Sequence, residues 1–409
     1  MNMLYFASLD FYARPNPSFH LMTTMLEDML EEGHSVYFIG CALEGLARHI
    51  PDTLASHPSF KYRLIPVPDT KKSNFVKRYT DGIAYANAAG KYLKEFMPLC
   101  DFVFVQSSPT ALFNILAARR YAGKKCVIYN VQDMFPGSSI ASGALKNKAI
   151  ASFFYALQKV AYAKSDIIVA ISEDMKAKLM EQGVAAEKVE VVVNWFDDRS
   201  VSEIPWEENG FAREVGMSRE NFYVQYAGTM GYVFEFEKII RLATLLKERK
   251  DIVFQMIGAG SRREEFVAAV KNGGLTNIVF LPLQPQERVS EVYSACDLCL
   301  IPLKRGVIGN SVPSKVALLM ACKRPILTFT DINSEYARMI NGGIGMAFDY
   351  EDVDGMARAI NELSQDRERV ESMGKRGYEF GRELYSRSEN MKKYIEIFQK
   401  AERNGRGNG

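Results

Sequence analysis

Two successive doubly wound α/β domains are what this sequence predicts, and three observations carry that reading. Short apolar, β-rich runs alternate with helix-period segments along almost the whole chain, the pattern of parallel sheets covered by helices. The 409 residues exceed what one hydrophobic core ordinarily supports. A turn-rich, polar stretch over 194–220, with Asn194, Asp197, Asp198, Pro205 and Gly210, separates two series of such runs and reads as a linker.

In the first series the strands are expected at 3–7, 36–39, 62–66, 102–105, 127–130, 167–171 and 189–193. A helix over 18–32 fits between the first two, with Ser18 as its N-cap and Gly33 as its stop. The second series runs 222–227, 252–257, 278–281, 298–301, 326–328 and 345–348. Beyond residue 351 the chain is helical and charged, and the glycine-rich 404–409 is expected to be disordered. In sheets of this kind ligands bind outside the strand C-termini, so the residues there are the ones to search.

Composition narrows the class. With 47% hydrophobic and 24% charged residues the chain is ordinary globular protein, and no run of 18 apolar residues predicts a spanning helix. The N-terminus enters a strand at once without a signal peptide's basic and apolar regions, so a cytoplasmic location is expected. Six cysteines suggest no disulfide framework, and Cys296 and Cys299 sit in a run that reads as a buried strand. No metal site and no nucleic-acid module is expected. The 51 bases and 49 acids nearly balance, but residues 61–164 hold 16 bases against five acids. That segregation suits a basic face meeting an anionic surface, or a scattering of solvated lysines. The segment from Phe75 to Phe96 interleaves aromatics with bases, which fits either a bilayer surface or a helix packed on its own sheet.

Four motifs follow strands. Gly228, Thr229 and Gly231 follow the run at 222–227, where glycines let the backbone approach a ligand and the next helix offers unpaired N–H groups. Gly258 and Gly260 close the next strand; Arg263 occupies the third position of a dinucleotide fingerprint, which disfavours NAD. In Ser311-Val-Pro-Ser314-Lys315-Val316, Pro313 opens a helix that Ser311 or Ser314 caps, and Lys315 sits in the first turn. A cation there opposes the helix dipole unless an anion shares the site, so a diphosphate is attractive; an incidental surface lysine is the bland alternative. Gln132 and Asp133 follow the strand at 127–130, where a carboxylate orients an acceptor hydroxyl or caps the next helix. His20, near the start of the first helix, is the acceptor-side histidine candidate, whereas His34 reads as structural.

The order of these motifs resembles the retaining glycosyltransferases of family four, in particular members that build capsule and O-antigen polysaccharides. Val131-Gln-Asp-Met-Phe-Pro136 is similar to the family's "DLWP"-like motif, and 165–176 with 189–197 to its "SE … PNW-D" stretch. Residues 311–315 and then Met320-Ala-Cys-Lys-Arg-Pro325 match "svPsK…MA-G-P". The resemblance spans roughly 3–380. It implies the GT-B fold: two Rossmann-like domains facing a cleft, an acceptor-side domain over 1–198 and a donor domain over 199–379, with a helix near 380–402 returning to the first.

It further implies a metal-independent hexosyl or N-acetylhexosaminyl transferase with no cofactor, the nucleotide-sugar donor being a substrate. Residues 314–316 would offer N–H groups and Lys315 a charge to the diphosphate, Leu281 to Gln284 would border the base, and Asp133 would position the acceptor. A lipid-linked or saccharide acceptor follows, with the protein peripheral at the inner face of an anionic membrane surface. The chain departs from the family at three places. Asn310 and Leu318 stand where two glutamates are usual, Gln132 where a histidine is frequent, and Thr229 and Met230 where a basic pair is usual, with Lys304 and Arg305 as substitutes. A non-catalytic nucleotide-sugar-binding scaffold and a UDP-sugar 2-epimerase are the alternatives.

Overall fold

The computed structural model describes residues 1–12, 17–70, 75–231 and 234–406, with the side chains of Pro17, Ser18, Phe75, Val76 and Arg406 left out. The first helix runs Pro17–Glu31, so the proposed Ser18 cap lies outside the described side chains. The chain forms two compact units. The first comprises 1–137, 147–193 and 390–409; the second comprises 138–146 and 194–389.

Every strand that the apolar runs predict is present. The first unit holds β1 (Asn2–Phe6), β2 (Ser35–Leu43), β3 (Phe60–Val67), β4 (Phe102–Gln106), β5 (Val127–Val131), β6 (Ile167–Ala170) and β7 (Val189–Val191). They pair in parallel in the order β3-β2-β1-β4-β5-β6-β7. The second holds β8 (Phe222–Ala227), β9 (Ile252–Ile257), β10 (Ile278–Leu281), β11 (Leu298–Pro302), β12 (Ile326–Phe329) and β13 (Gly345–Phe348), ordered β10-β9-β8-β11-β12-β13. Strands such as β4 and β8 are buried along their whole length because helices cover both sheet faces. In each order the chain reverses direction across the sheet once, between β1 and β4 and between β8 and β11, and such switch points are where ligands bind.

Two expectations about connections need correction. Residues 194–220 are not a free linker: Phe196, Val201 and Phe211 are core residues of the second unit, and short helices span Trp206–Glu208 and Gly210–Glu214. Their polar composition supplies caps and turns, for example Asn209 accepting from the Ala212 N–H at 2.9 Å. The single helix expected near 380–402 is two helices, Arg367–Leu384 and Arg387–Arg406. Between them Phe196 exchanges backbone hydrogen bonds with Tyr385 and Arg387, and the Arg387 guanidinium lies 3.3 Å from buried Asp197. The last helix continues to Arg406, so 404–406 are ordered in it, against the disorder expected for the tail.

That last helix belongs to the first unit. Phe398, fully buried, stacks on Phe102 at 5.0 Å and meets Phe104 edge-on at 5.7 Å.

Candidate active site

In the second unit the switch point lies between Ala227, the end of β8, and Pro302, the end of β11. Lys315 reaches it. Its Nζ donates to the Ala227 carbonyl at 2.9 Å and stands 3.8 Å from the centre of the Tyr226 ring. Desolvation of this enclosed ammonium lowers its pKa from 10.5 to about 8. Among the described residues no carboxylate ion pair to Lys315 occurs, so the charge is balanced by a carbonyl dipole and a ring face alone. A strongly perturbed lysine at the edge where ligands bind is a functional-site signature.

Around it the β8 and β9 loops lie backbone on backbone. The Gly228 N–H donates to the Ile257 carbonyl and the Met230 N–H to the Ala259 carbonyl, each at 2.9 Å. A Cβ on Gly258 would fall 1.9 Å from the Gly228 oxygen, and one on Gly260 would fall 2.3 Å from the Met230 oxygen. Both glycines have positive φ, 148° and 156°. The loop contact by itself accounts for these two glycines; a ligand is not needed to explain them. Gly231 is looser, with only Thr229 Cγ2 at 3.6 Å from a would-be Cβ. Thr229 is exposed at the rim, and its carbonyl accepts from the Tyr226 hydroxyl at 2.7 Å.

Leu281 joins the same edge through its carbonyl, which accepts from the Gly258 N–H at 3.2 Å, and Gln284 donates to the Pro282 carbonyl at 3.0 Å. The Ser311–Val316 stretch departs from the capping expected of it. The helix starts at Lys315, and neither serine hydroxyl caps it: Ser314 holds the cap position without a side-chain bond. The Val316 N–H donates to the Pro313 carbonyl at 3.2 Å and its side chain is buried in the core, so that amide is already engaged. Asn310 is buried, its amide donating to the Gly306 carbonyl at 2.8 Å, and Leu318 packs against the core. Arg305 lies over the Tyr350 ring at 4.5 Å, and Lys304 stands within electrostatic reach of Glu237.

In the first unit Asp133 is exposed just past the end of β5. The following helix begins at Gly137, and between them the Asp133 carbonyl accepts from the Phe135 N–H at 3.1 Å. Gln132 is half-buried and donates to the Asn130 side-chain oxygen at 3.3 Å. That oxygen also accepts from the Tyr394 hydroxyl at 3.3 Å, while the Asn130 amide donates to Gln106 at 2.9 Å. Tyr5 completes the ladder by donating to the same Gln106 oxygen at 2.9 Å. Burial pushes both tyrosines well up, so they remain hydroxyl donors. Sequence reading passed over this ladder; its signal is Gln106 and Asn130, polar residues at the ends of otherwise apolar strands. His20 is half-buried in the first helix, and its carbonyl accepts from Thr24. Among the described residues no three His, Cys, Asp or Glu form a group able to hold a metal, and Cys296 and Cys299 are buried thiols.

A cavity of about 380 Å³ opens at the opposite edge of the second sheet, beside Tyr223 and Asp297. Its charges are matched internally: Arg367 to Asp297 at 2.7 Å, Lys323 to Glu203 at 2.9 Å. It is a structural seam rather than the site.

Residues 21–200 match the family described as "Glycosyltransferase Family 4", and residues 211–380 match "Glycosyl transferases group 1". Among solved structures, sucrose-phosphate synthase of Thermosynechococcus elongatus superposes with TM-score 0.75 over 98% of this chain and 99% of its own, at 12% identity. The chain is a glycosyltransferase of the GT-B type. The transferase is also similar in fold to HepE of Anabaena in complex with UDP-glucose, with TM-score 0.71, 13% identity and coverage of 98% and 100%. In sequence it is 26% identical over 311 residues to a protein named as glycosyltransferase WbjE of Pseudomonas aeruginosa, covering 75% of this chain and 77% of that one. It is 22% identical to a protein named as the colanic acid biosynthesis glycosyl transferase WcaI of Escherichia coli K12, over 54% and 55% of the two chains.

Proposed function

We propose that this transferase moves a hexosyl or N-acetylhexosaminyl group, with retention, from a UDP-sugar to a lipid-linked or saccharide acceptor in cell-surface polysaccharide assembly. The observation that carries the reading is Lys315, a desolvated ammonium at the switch point of the second sheet with a pKa lowered to about 8. Such a group favours an anion arriving beside it, and the departing diphosphate of a nucleotide sugar is the anion whose charge grows during transfer. The UDP and UDP-glucose complexes of HepE and the colanic acid assignment of WcaI support the donor and the pathway class. In the transfer, the bond from the anomeric carbon to the phosphate oxygen breaks and one to the acceptor oxygen forms on the same face. The acceptor's proton passes to the departing phosphate. Asp133, in the first unit, orients the acceptor hydroxyl, and the side-chain ladder behind Gln132 steadies the segment that carries it.

Neither a cofactor nor a metal enters this scheme, because Lys315 supplies the positive charge. Leu318, an aliphatic side chain where an acidic donor contact is usual, favours a second reading in which the chain binds a nucleotide sugar without turnover. Thermal denaturation against a panel of nucleoside diphosphates and their sugars tests both. A ligand at a hundred times its Kd stabilises by roughly 2.7 kcal/mol, a readily measured shift. A shift with one diphosphate and sugar transfer to extracted lipid acceptors supports the transferase reading; a shift without transfer supports the scaffold. No shift with any of them removes the donor assignment.

A further inference from the structure

Asp10 and His49 meet at the C-terminal edge of the first sheet. Beyond β1 the chain runs on beside β2, the Ala7 N–H donating to the Ile39 carbonyl at 3.0 Å and the Cys41 N–H to the Leu9 carbonyl at 2.9 Å. That carries Asp10 to the end of β2, where its enclosed carboxylate accepts from the Leu43 and Tyr12 N–H groups, each at 2.9 Å. Past β2 the chain turns at Gly45, with φ of 89°, and His49 Nδ1 arrives 2.5 Å from the same carboxylate. Among the described residues no Lys or Arg pairs with Asp10.

A carboxylate that already accepts two backbone amides offers a ring only acceptors, so Nδ1 carries the proton and Nε2 is the nitrogen left to act. Nε2 has no partner among the described residues, and 24% of the His49 side chain is exposed. The neighbouring cation Arg48 is taken by Asp52 at 3.0 Å. Tyr12, tied to the same carboxylate through its backbone, is 43% exposed, and its ring meets no other ring or cation among the described residues. A clamp on the loop would be complete with the two amides. Enclosing a carboxylate without a basic partner is costly, and what it gives here is an imidazole fixed in tautomer and orientation beside an open phenol ring. A sugar ring has an apolar C–H face and a rim of hydroxyls, and the pair offers a surface for each.

We infer that Tyr12 and His49 bind a second sugar ring of the acceptor, not the one whose hydroxyl attacks, with Asp10 as the positioning residue. The ring's C–H face lies on Tyr12 and one of its hydroxyls bonds His49 Nε2. The inference rests on the sugar-transfer reading, in which Asp133 holds the reactive end of the acceptor. In the order β2-β1-β4-β5, three strand spacings of about 4.8 Å separate the end of β2 from the end of β5, a lateral distance of about 14 Å. One pyranose cannot touch both ends of that interval. The acceptor this edge of the sheet fits therefore carries at least two sugar units, and His49 and Tyr12 determine its length specificity.

The test is titration of the full chain, read by saturation-transfer difference NMR, with methyl glycosides of glucose, galactose and N-acetylglucosamine and with their homodisaccharides. At least one disaccharide is expected to bind about tenfold more tightly than its monosaccharide, with signal transferred to both rings. His49→Ala and, separately, Tyr12→Ala bring the disaccharide down to the level of the monosaccharide, while the melting temperature and any response to nucleoside diphosphates stay unchanged. His49→Gln, which keeps a side-chain N–H, recovers part of the preference. Asp10→Asn loses the preference although the response to nucleoside diphosphates persists. Absence of saccharide binding overturns the inference, as does a disaccharide preference that His49→Ala leaves intact. Either result in a chain that still responds to nucleoside diphosphates leaves the transferase reading standing. Disaccharide binding through His49 without response to any nucleoside diphosphate supports the saccharide subsite and removes the transferase reading.

Discussion

Lys315 donates from Nζ to the carbonyl oxygen of Ala227 at 2.9 Å, which fixes an ammonium at the end of β8 with no carboxylate paired to it among the described residues. Burial lowers its pKa to about 8, so the native state holds the proton less tightly than the unfolded chain does. Between about 8 and 10.5 the unfolded state binds the extra proton, and the contribution of this group to stability therefore rises with pH across that window. Lys315→Met is expected to remove that rise and to increase the melting temperature at pH 7, while abolishing the response to nucleoside diphosphates. Thermal melts from pH 7 to 10, with and without ligand, check both; a variant that is destabilised yet still responds to ligand refutes the assignment.

Donor affinity should fall as pH rises through about 8, because the neutral amine no longer attracts the diphosphate. Bound diphosphate raises that pKa, so kcat, which reports the donor complex, falls at higher pH than the pH at which donor affinity begins to fall. Kd measured by titration between pH 6.5 and 9.5 gives the profile, and a flat one assigns the phosphate to another group.

Asp133→Asn is expected to lower kcat by about 10²-fold, through lost orientation of the acceptor, with little change in the thermal shift given by the donor nucleotide. The carboxylate lies exposed just beyond the end of β5. Equal losses in donor binding and turnover would move Asp133 out of the acceptor role.

Gly258→Ala puts a Cβ 1.9 Å from the Gly228 carbonyl oxygen in a conformation with φ of 148°. Strain of this kind costs about 1–3 kcal/mol before the clash is counted. Gly231→Ala, three residues beyond Gly228 in the same loop, meets only a methyl at 3.6 Å and should be close to neutral. Denaturant unfolding of the two variants side by side measures the difference.

Lys323 is a non-glycine residue at φ 54°, just after the helix Lys315–Ala321. Lys323→Gly relieves the left-handed strain, worth roughly 1–2 kcal/mol, and gives up a partly exposed bridge to Glu203 worth about 0–1 kcal/mol. A small net rise in melting temperature is expected. By contrast, Phe398→Ala removes a fully buried ring from between Phe102 and Phe104 and should cost about 3–5 kcal/mol.

The strands were legible in the sequence because both sheets are parallel and covered on both sides. Runs such as Phe102-Val-Phe-Val and Leu298-Cys-Leu-Ile therefore cannot be surface segments. The glycines at 258 and 260 and the lysine at 315 were legible as residues out of place in their surroundings. What each one does was not. Only the fold shows that the two glycines answer a loop contact, that Lys315 ends on Ala227, and that Val316 has already spent its amide on Pro313.

The sequence by itself determined which segments become strands, because that depends on periodicity and on short-range apolar composition. The tertiary structure decided everything that joins distant residues. Phe196 bonds to Tyr385 and Arg387 across nearly the whole second unit. Asn130 meets Tyr394 although 264 residues separate them. The outer face of Lys148–Lys164 is left uncovered although its composition alone would have sent it inward. Burial, and with it every shifted pKa and unpartnered face, is set by what the rest of the chain brings alongside, and no local pattern encodes that.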